Sequence, residues 1–398
     1  MKIAIIDADL VGRDKHRFPN LVCMKISAYH KNIGNDVTLK MDYEDLEVFD
    51  KVYISKVFVQ TEIPGEPKDK SGKNESTVIE WYKDNQFLKQ PNIEYGGTGF
   101  FYDKAPKLPS EIEHQKPDYH LYDEWVNSKL SEVNEKTGKP KYKRVDFKYY
   151  LDYSIGFVTR GCFRGCEFCV NRNCKKVEQH SPLDEFVDYS RPKICLLDDN
   201  FFGCPAWKTI LNQLQATKKP FQFKQGLDER LLTEEKCELL FKSKYDGDYI
   251  FAFDNVADAE LIERKLKLIR EYTDKIPKFY TFCGFDRNDK WDEDFWKQDL
   301  WDIWKRIEIL MKYQCLPYIM RHESYEKSPY RGTYINLAAW CNQPSAFKKK
   351  SYREFVEYQQ SRHPRECSET RYLKQSESEM PDLAEKYFDM KFMDFSKS

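Results

Sequence analysis

The stretch YSIGFVTRGCFRGCEFCVNRNC, residues 153–174, joins an apolar, β-branched run to a loop in which Cys162, Cys166, Cys169 and Cys174 fall within thirteen positions. The run predicts a strand, and the loop follows its C-terminal end. Gly161 and Gly165 permit tight turns, so three thiols at CxxxCxxC spacing can converge without long-range folding. What lies on either side decides whether this strand stands alone.

Downstream, ICLLDDNFF, FQFKQGL, DYIFAFDN, KFYTFCGF and LPYIMRHE are further apolar runs of strand length. Helix-length segments separate them, among them PAWKTILNQLQATK, TEEKCELLFKSK, ADAELIERKLKLIREYT and DLWDIWKRIEILMKYQ, with apolar residues at three- and four-residue spacing. Six strands alternating with helices predict βα units in a parallel barrel or open sheet, with functional groups at the C-terminal ends of the strands. Upstream, MKIAIIDADL predicts a buried strand, and a helix is expected from about Pro19 to Ile33, closed by Gly34. DVTLK, KVYISKVFV and IEYGGTGF supply more short strands, the opening of a second parallel α/β domain.

The expected organisation is an α/β domain over residues 1–125, a charged linker over 126–149, a parallel βα barrel or open sheet over 150–325 and a helical extension over 326–398. A chain of 398 residues with 40% hydrophobic content can build more than one core, and its net charge of −1 gives no global attraction to nucleic acid or membrane. Asp7 and Asp9 interrupt the first apolar run, which reads as a strand rather than a signal peptide. No run approaches the roughly 18 apolar residues of a membrane span, which places the chain in the cytoplasm, where thiols stay reduced. The twelve cysteines then divide into one metal or redox cluster and scattered packing residues.

An iron-sulfur cluster with four irons has four corners. If Cys162, Cys166 and Cys169 take three, the fourth is left open for a small molecule, as catalytic metal sites keep one position free. The alternative is a structural zinc site with Cys174 as fourth ligand, in a nucleic-acid or protein-binding module; zinc sites more often use two pairs separated by a longer loop.

With Phe168 directly before the third cysteine, CxxxCxxC resembles the signature of the radical S-adenosylmethionine superfamily, and the resemblance extends over roughly residues 150–325, where it implies a partial (β/α)6 barrel. It implies a 4Fe-4S cluster that chelates S-adenosyl-L-methionine, reductive cleavage to a 5′-deoxyadenosyl radical, hydrogen abstraction from a substrate, and an external electron donor of flavodoxin or ferredoxin type. By strand order it also implies that Phe168, Asp199, Asn200, Gln225, Arg230, Asp254 and Gly284 contact S-adenosylmethionine. Cys341 is a candidate hydrogen-atom donor. Residues 1 to about 120 look like a shortened cobalamin-binding domain, with His16, Gly96 and Gly97 as candidate cobalamin contacts. Asp14, His16 and Pro19 form DxHxxP where cobalt-ligating members carry DxHxxG, so the match at His16 is incomplete. A cobalamin-dependent radical methyltransferase is the second enzyme reading. Lys348, Lys349, Lys350 and Arg353, among aromatics in the tail, make nucleic acid one candidate substrate.

Overall fold

The computed structural model describes residues 1–13, 18–66, 78–286, 288 and 290–395. They form two compact units, Met1–Asp198 with Asn212–Phe221, and Asp199–Leu211 with Gln222–Ser398.

In the first unit, strands β1 (Lys2–Asp7), β2 (Asp36–Leu39), β3 (Lys51–Ser55) and β4 (Ile93–Gly96) pair in parallel in the order β2-β1-β3-β4. The unbroken apolar run of β1 follows from burial on both faces. Ile3 and Ile5 point into one core with Cys23, Met24 and Tyr53, and Ala4 and Ile6 into another with Val52, Ile54 and Phe100. The first helix spans Leu21–Asn32 and not the expected Pro19–Ile33. Asn20 sets its start, because the side-chain oxygen accepts from the N–H groups of Val22 and Cys23 at 3.1 and 3.3 Å, satisfying donors that the helix leaves open. Gly34 follows the helix in the left-handed region, as its position predicts.

Residues 126–149, expected to be a linker, contribute to the core of this unit. A helix spans Asp123–Ser131, and Val126, Tyr142 and Phe147 pack with Trp125, Tyr150, Ile3 and Ile5. Their apolar content is too sparse to stand out from the charged residues between them. The chain then enters β5 (Tyr153–Gly156), which shares a parallel sheet with β8 (Lys193–Leu196); the N–H of Ile194 donates to the carbonyl of Pro220, just before β9 (Phe221–Phe223). Between β5 and β8, the two-residue strands β6 (Thr159–Arg160) and β7 (Glu178–Gln179) pair antiparallel.

The second unit contains β10 (Ile250–Ala252), β11 (Lys278–Cys283) and β12 (Leu316–Arg321), parallel and adjacent in that order. Helices span Glu234–Phe241, Ala259–Tyr272 and Glu293–Lys312, so the expected strand–helix alternation is present. Ile262, Leu266 and Ile269 give the helix Ala259–Tyr272 one apolar stripe. The tail folds into helices Arg331–Cys341, Tyr352–Gln360, Ser368–Glu379 and Pro381–Tyr387. They pack on Glu293–Lys312 through a core of Trp304, Trp340, Tyr352, Tyr387 and Phe388. Among the described residues, no helix is long and apolar enough to cross a membrane.

Candidate functional site

The cysteine loop begins where β5 stops. Gly156 ends that strand against the ring of Phe186, where an added Cβ would come within 2.3 Å of the ring. The chain then forms β6, and pairing of Thr159 with Gln179 and of Arg160 with Glu178 staples the two ends of the loop together. Asp198, buried at the end of β8, anchors this staple by accepting from the Thr159 N–H and hydroxyl, both at 2.6 Å, and from the Val158 N–H at 3.4 Å. Gly161 has φ +96°, and a Cβ there would lie 2.4 Å from the Lys176 carbonyl oxygen, so only glycine lets the strands of the loop close this tightly.

Inside the staple, the N–H of Cys169 donates to the Cys166 carbonyl, that of Arg172 to the Cys169 carbonyl and that of Cys174 to the Asn171 carbonyl. These turns keep Cys166, Cys169 and Cys174 on successive bends. Two sulfurs receive backbone donors: Arg164 N–H to Cys162 Sγ at 3.5 Å and Asn171 N–H to Cys169 Sγ at 3.4 Å. Cys162, Cys166, Cys169 and Cys174 are half-buried, and the other eight cysteines are buried. Among the described residues, no three His, Cys, Asp or Glu side chains converge on a single-ion position. A cubane places its iron-sulfur core between the thiolates and does not draw them onto one ion. Three accessible thiols with N–H donors on two sulfurs therefore fit such a cluster as donor chemistry. Phe168 is half-buried beside them, and its carbonyl accepts from the Tyr102 hydroxyl at 2.6 Å.

Asp199, Asn200, Gln225, Arg230, Asp254 and Gly284 belong to the second unit. Asn200 Nδ2 donates to Asp228 at 3.3 Å; Arg230 donates to Asp228 at 2.8 Å and to Asp258 at 3.0 Å. The Arg230 guanidinium is thus shared between the carboxylates of Asp228 and Asp258, with that of Glu229 at 4.0 Å. Asp254 accepts from the Phe282 N–H at 3.0 Å; burial pushes its carboxyl up, against that hydrogen bond and the charges of Arg306 and Arg230. Gly284, at φ +75°, donates its N–H to Asp299, which also accepts from the Tyr334 hydroxyl. The structure thus gathers Asn200, Arg230 and Asp254 into one charged neighbourhood. Asp199 is half-buried and Gln225 exposed. Cys341 is 1% exposed within the aromatic core of the tail. Arg353 is engaged by Asp389 and Glu377, and Lys350 lies over the ring of Tyr358.

Strand and loop motifs do not point to Arg306, which donates to the carbonyls of Phe253, Asp254 and Phe282 at 2.8–3.0 Å and ties the ends of β10 and β11 together. Its signal is a charged residue on the face that also carries Trp296, Leu300, Ile303 and Leu310. Glu229 also escapes the motifs. It is fully buried, accepts from the Ala252 N–H at 3.1 Å, and burial pushes its carboxyl up to about 8.

At the carboxyl edge of the first sheet, Gly97 has φ +109°, and a Cβ there would meet the Lys56 carbonyl at 2.2 Å. Its freedom serves that backbone approach. Gly96 faces open space, and His16 lies outside the described residues. Lys56 is fully buried beside Glu66 and Tyr82. A cavity of about 260 Å³ lies along the same edge, lined by Val57, Phe58, Val59, Gln60, Thr98, Tyr102 and Val170. Its lining mixes apolar side chains with Gln60, Thr98 and Tyr102 and includes no side chain suited to ligate cobalt.

No protein-family model and no curated protein matches the sequence. Among solved structures, the chain is similar to the radical S-adenosylmethionine methyltransferase TsrM from Kitasatospora setae with cobalamin and a 4Fe-4S cluster bound. The TM-score is 0.47 at 12% identity, over 80% of this chain and 74% of that one. For TsrM with tryptophan substrate and the S-adenosylmethionine analogue aza-SAM bound, the TM-score is 0.48 at 12% identity, over 80% of this chain and 72% of that one. Likeness of this extent assigns no residue, cofactor or substrate here.

Proposed function

We propose that the chain is a radical S-adenosylmethionine enzyme whose 4Fe-4S cluster is held by Cys162, Cys166 and Cys169. The observation that carries the reading is the stapled loop after β5, where three half-buried thiols at CxxxCxxC spacing stand apart from a set of buried cysteines. When bound, such a cluster with S-adenosylmethionine on its open iron supplies one-electron cleavage to a 5′-deoxyadenosyl radical that takes hydrogen from a substrate. The chain's part is to place these components. Thr159 and Asp198 fix the base of the loop, and the N–H groups of Arg164 and Asn171 donate to the sulfurs of Cys162 and Cys169. Phe168 offers a ring to the adenine. Asp199, Asn200, Gln225, Asp254 and Gly284 supply polar contacts to the nucleoside and methionyl groups, and Arg230 meets the methionyl carboxylate by exchanging one of its acidic partners. Electrons come from an external flavodoxin- or ferredoxin-type protein, and reaction takes place in the cytoplasm.

A cobalamin-dependent methyltransferase is the second reading, favoured by the cavity at the edge of the first sheet, which Val170 of the cysteine loop borders. Anaerobic reconstitution with iron and sulfide is expected to give brown protein that releases 5′-deoxyadenosine from S-adenosylmethionine under strong reductant. Cys166→Ala is expected to abolish that release. Colourless protein retaining zinc alone would instead establish a zinc-stabilised module. Added hydroxocobalamin, followed by gel filtration, separates the two enzyme readings by whether a corrinoid spectrum stays with the protein.

A further inference from the structure

The cysteine loop is held at a second place, remote from its stapled base. Tyr102 and Asp103 follow the glycine turn after β4. The Tyr102 hydroxyl donates to the Phe168 carbonyl at 2.6 Å, on one side of Cys169. On the other side, the Asp103 carboxylate accepts from Arg172 Nε and Asn173 Nδ2, both at 2.8 Å. Arg172 also donates to the Glu167 carbonyl at 3.2 Å, and its guanidinium lies over the Tyr102 ring at 5.4 Å. The Asp103 side chain is only 6% exposed. Burial opposes its charge, yet the hydrogen bond and charge of Arg172 hold the carboxyl below its ordinary value. Tyr102 itself sits at φ 48°, ψ −118°, a conformation that is strained for a non-glycine residue and persists only where surrounding contacts enforce it.

Between the two contacts lies the N–H of Asn171, the donor to Cys169 Sγ. Holding residues 168 and 172 in place fixes that donor. The corresponding bond at Cys162 comes from Arg164, close to the staple formed by β6 and β7, and does not depend on this contact. We propose that Tyr102 and Asp103 are positioning residues that lock the Cys169 corner of the loop, and that through the Asn171 N–H they set the potential and the retention of the cluster. The inference rests on the cluster reading above. An N–H donor to a cluster sulfur favours the more negative, reduced state, so loosening it lowers the midpoint potential.

The test compares full-length wild type with Asp103→Ala, Asp103→Asn and Tyr102→Phe. Hydrogen–deuterium exchange is measured on cluster-free and reconstituted protein, together with a redox titration and the rate of iron release to a chelator. In Asp103→Ala, amides across residues 166–174 are expected to exchange about tenfold faster, as loss of a charge-assisted bond dictates, while residues 157–161 stay unchanged. Its midpoint potential is expected to fall and its iron to leave several-fold faster, with Asp103→Asn and Tyr102→Phe intermediate. Wild-type exchange across 166–174, or an equal rise over 157–161, overturns the lock. If Asp103→Ala is poorly expressed, the Asn and Phe variants decide by the same exchange readout. Wild-type protein that takes up no iron defeats the cluster reading and the potential shift with it, whereas loaded variants of unchanged potential defeat only the present inference.

Discussion

Asp7 carries a carboxyl group in a place that water does not reach. It is 1% exposed at the end of β1; one oxygen accepts from the Tyr122 hydroxyl at 2.9 Å, and among the described residues the other has no partner. Burial is the largest cause and pushes the group up to about 7, from an ordinary 3.8. Between those values the unfolded chain has released its proton and the folded chain has kept it. Stability therefore falls as pH rises through that window and is level on either side. Asp7→Asn removes this slope. The stability difference between variant and wild type, measured by urea unfolding, is expected to move in the variant's favour by a few kcal/mol between about pH 4 and pH 8. Parallel curves for the two proteins would show that Asp7 ionises freely. In the sequence, Asp7 is legible only as an interruption of an apolar run, because Tyr122 is distant in sequence. Cys162, Cys166 and Cys169 are legible because a single loop carries them all. The partners of Arg230 divide in the same way: Asp228 is two residues away, and Asp258 comes from another loop.

The elements most legible in the sequence are those with enough residues to show a period. Five of the six expected strands, β5 and β9 to β12, sit within their predicted runs, β8 begins one residue ahead of its run at Lys193, and the helix Ala259–Tyr272 follows its apolar stripe. The staple does not announce itself, since two residues per strand carry no alternation to read, and its anchor Asp198 looks from its position like one more polar group at a strand end. Asp198→Ala would leave the Thr159 N–H and hydroxyl and the Val158 N–H without their buried acceptor. Each lost bond to a charged group costs about 1–3 kcal/mol, so the loop is expected to open before the unit unfolds. Iron uptake should drop markedly, and protease cleavage should appear between residues 158 and 178 while the first sheet's amides keep their protection. Normal iron content in Asp198→Ala would mean that the loop holds its thiols without the staple.

Charge along the chain places a boundary near residue 125, and the core ignores it. Trp125 stacks edge-on against Phe147 at 5.4 Å and lies tilted against Tyr150 at 5.3 Å, while Tyr142 and Phe147 meet at 5.8 Å. All four pack in the cluster with Ile3, Ile5 and Cys23, so residues beyond 125 complete the face that β1 presents to the first helix. Each large side chain withdrawn from such a core forfeits about 1.5–3 kcal/mol, and three aromatics together approach the entire stability of a typical domain, about 5–15 kcal/mol. A fragment of residues 1–125 is therefore expected to show no cooperative thermal transition and little near-ultraviolet circular dichroism. A fragment of residues 1–222 carries Asn212–Phe221 as well, with the Pro220 carbonyl that accepts from Ile194 on β8, and is expected to melt cooperatively. The comparison separates two ways of dividing the chain: a sharp transition in the short fragment would restore the boundary that charge alone suggests, and its absence beside a sharp transition in the long one places the cysteine loop and the first sheet in a single folding unit.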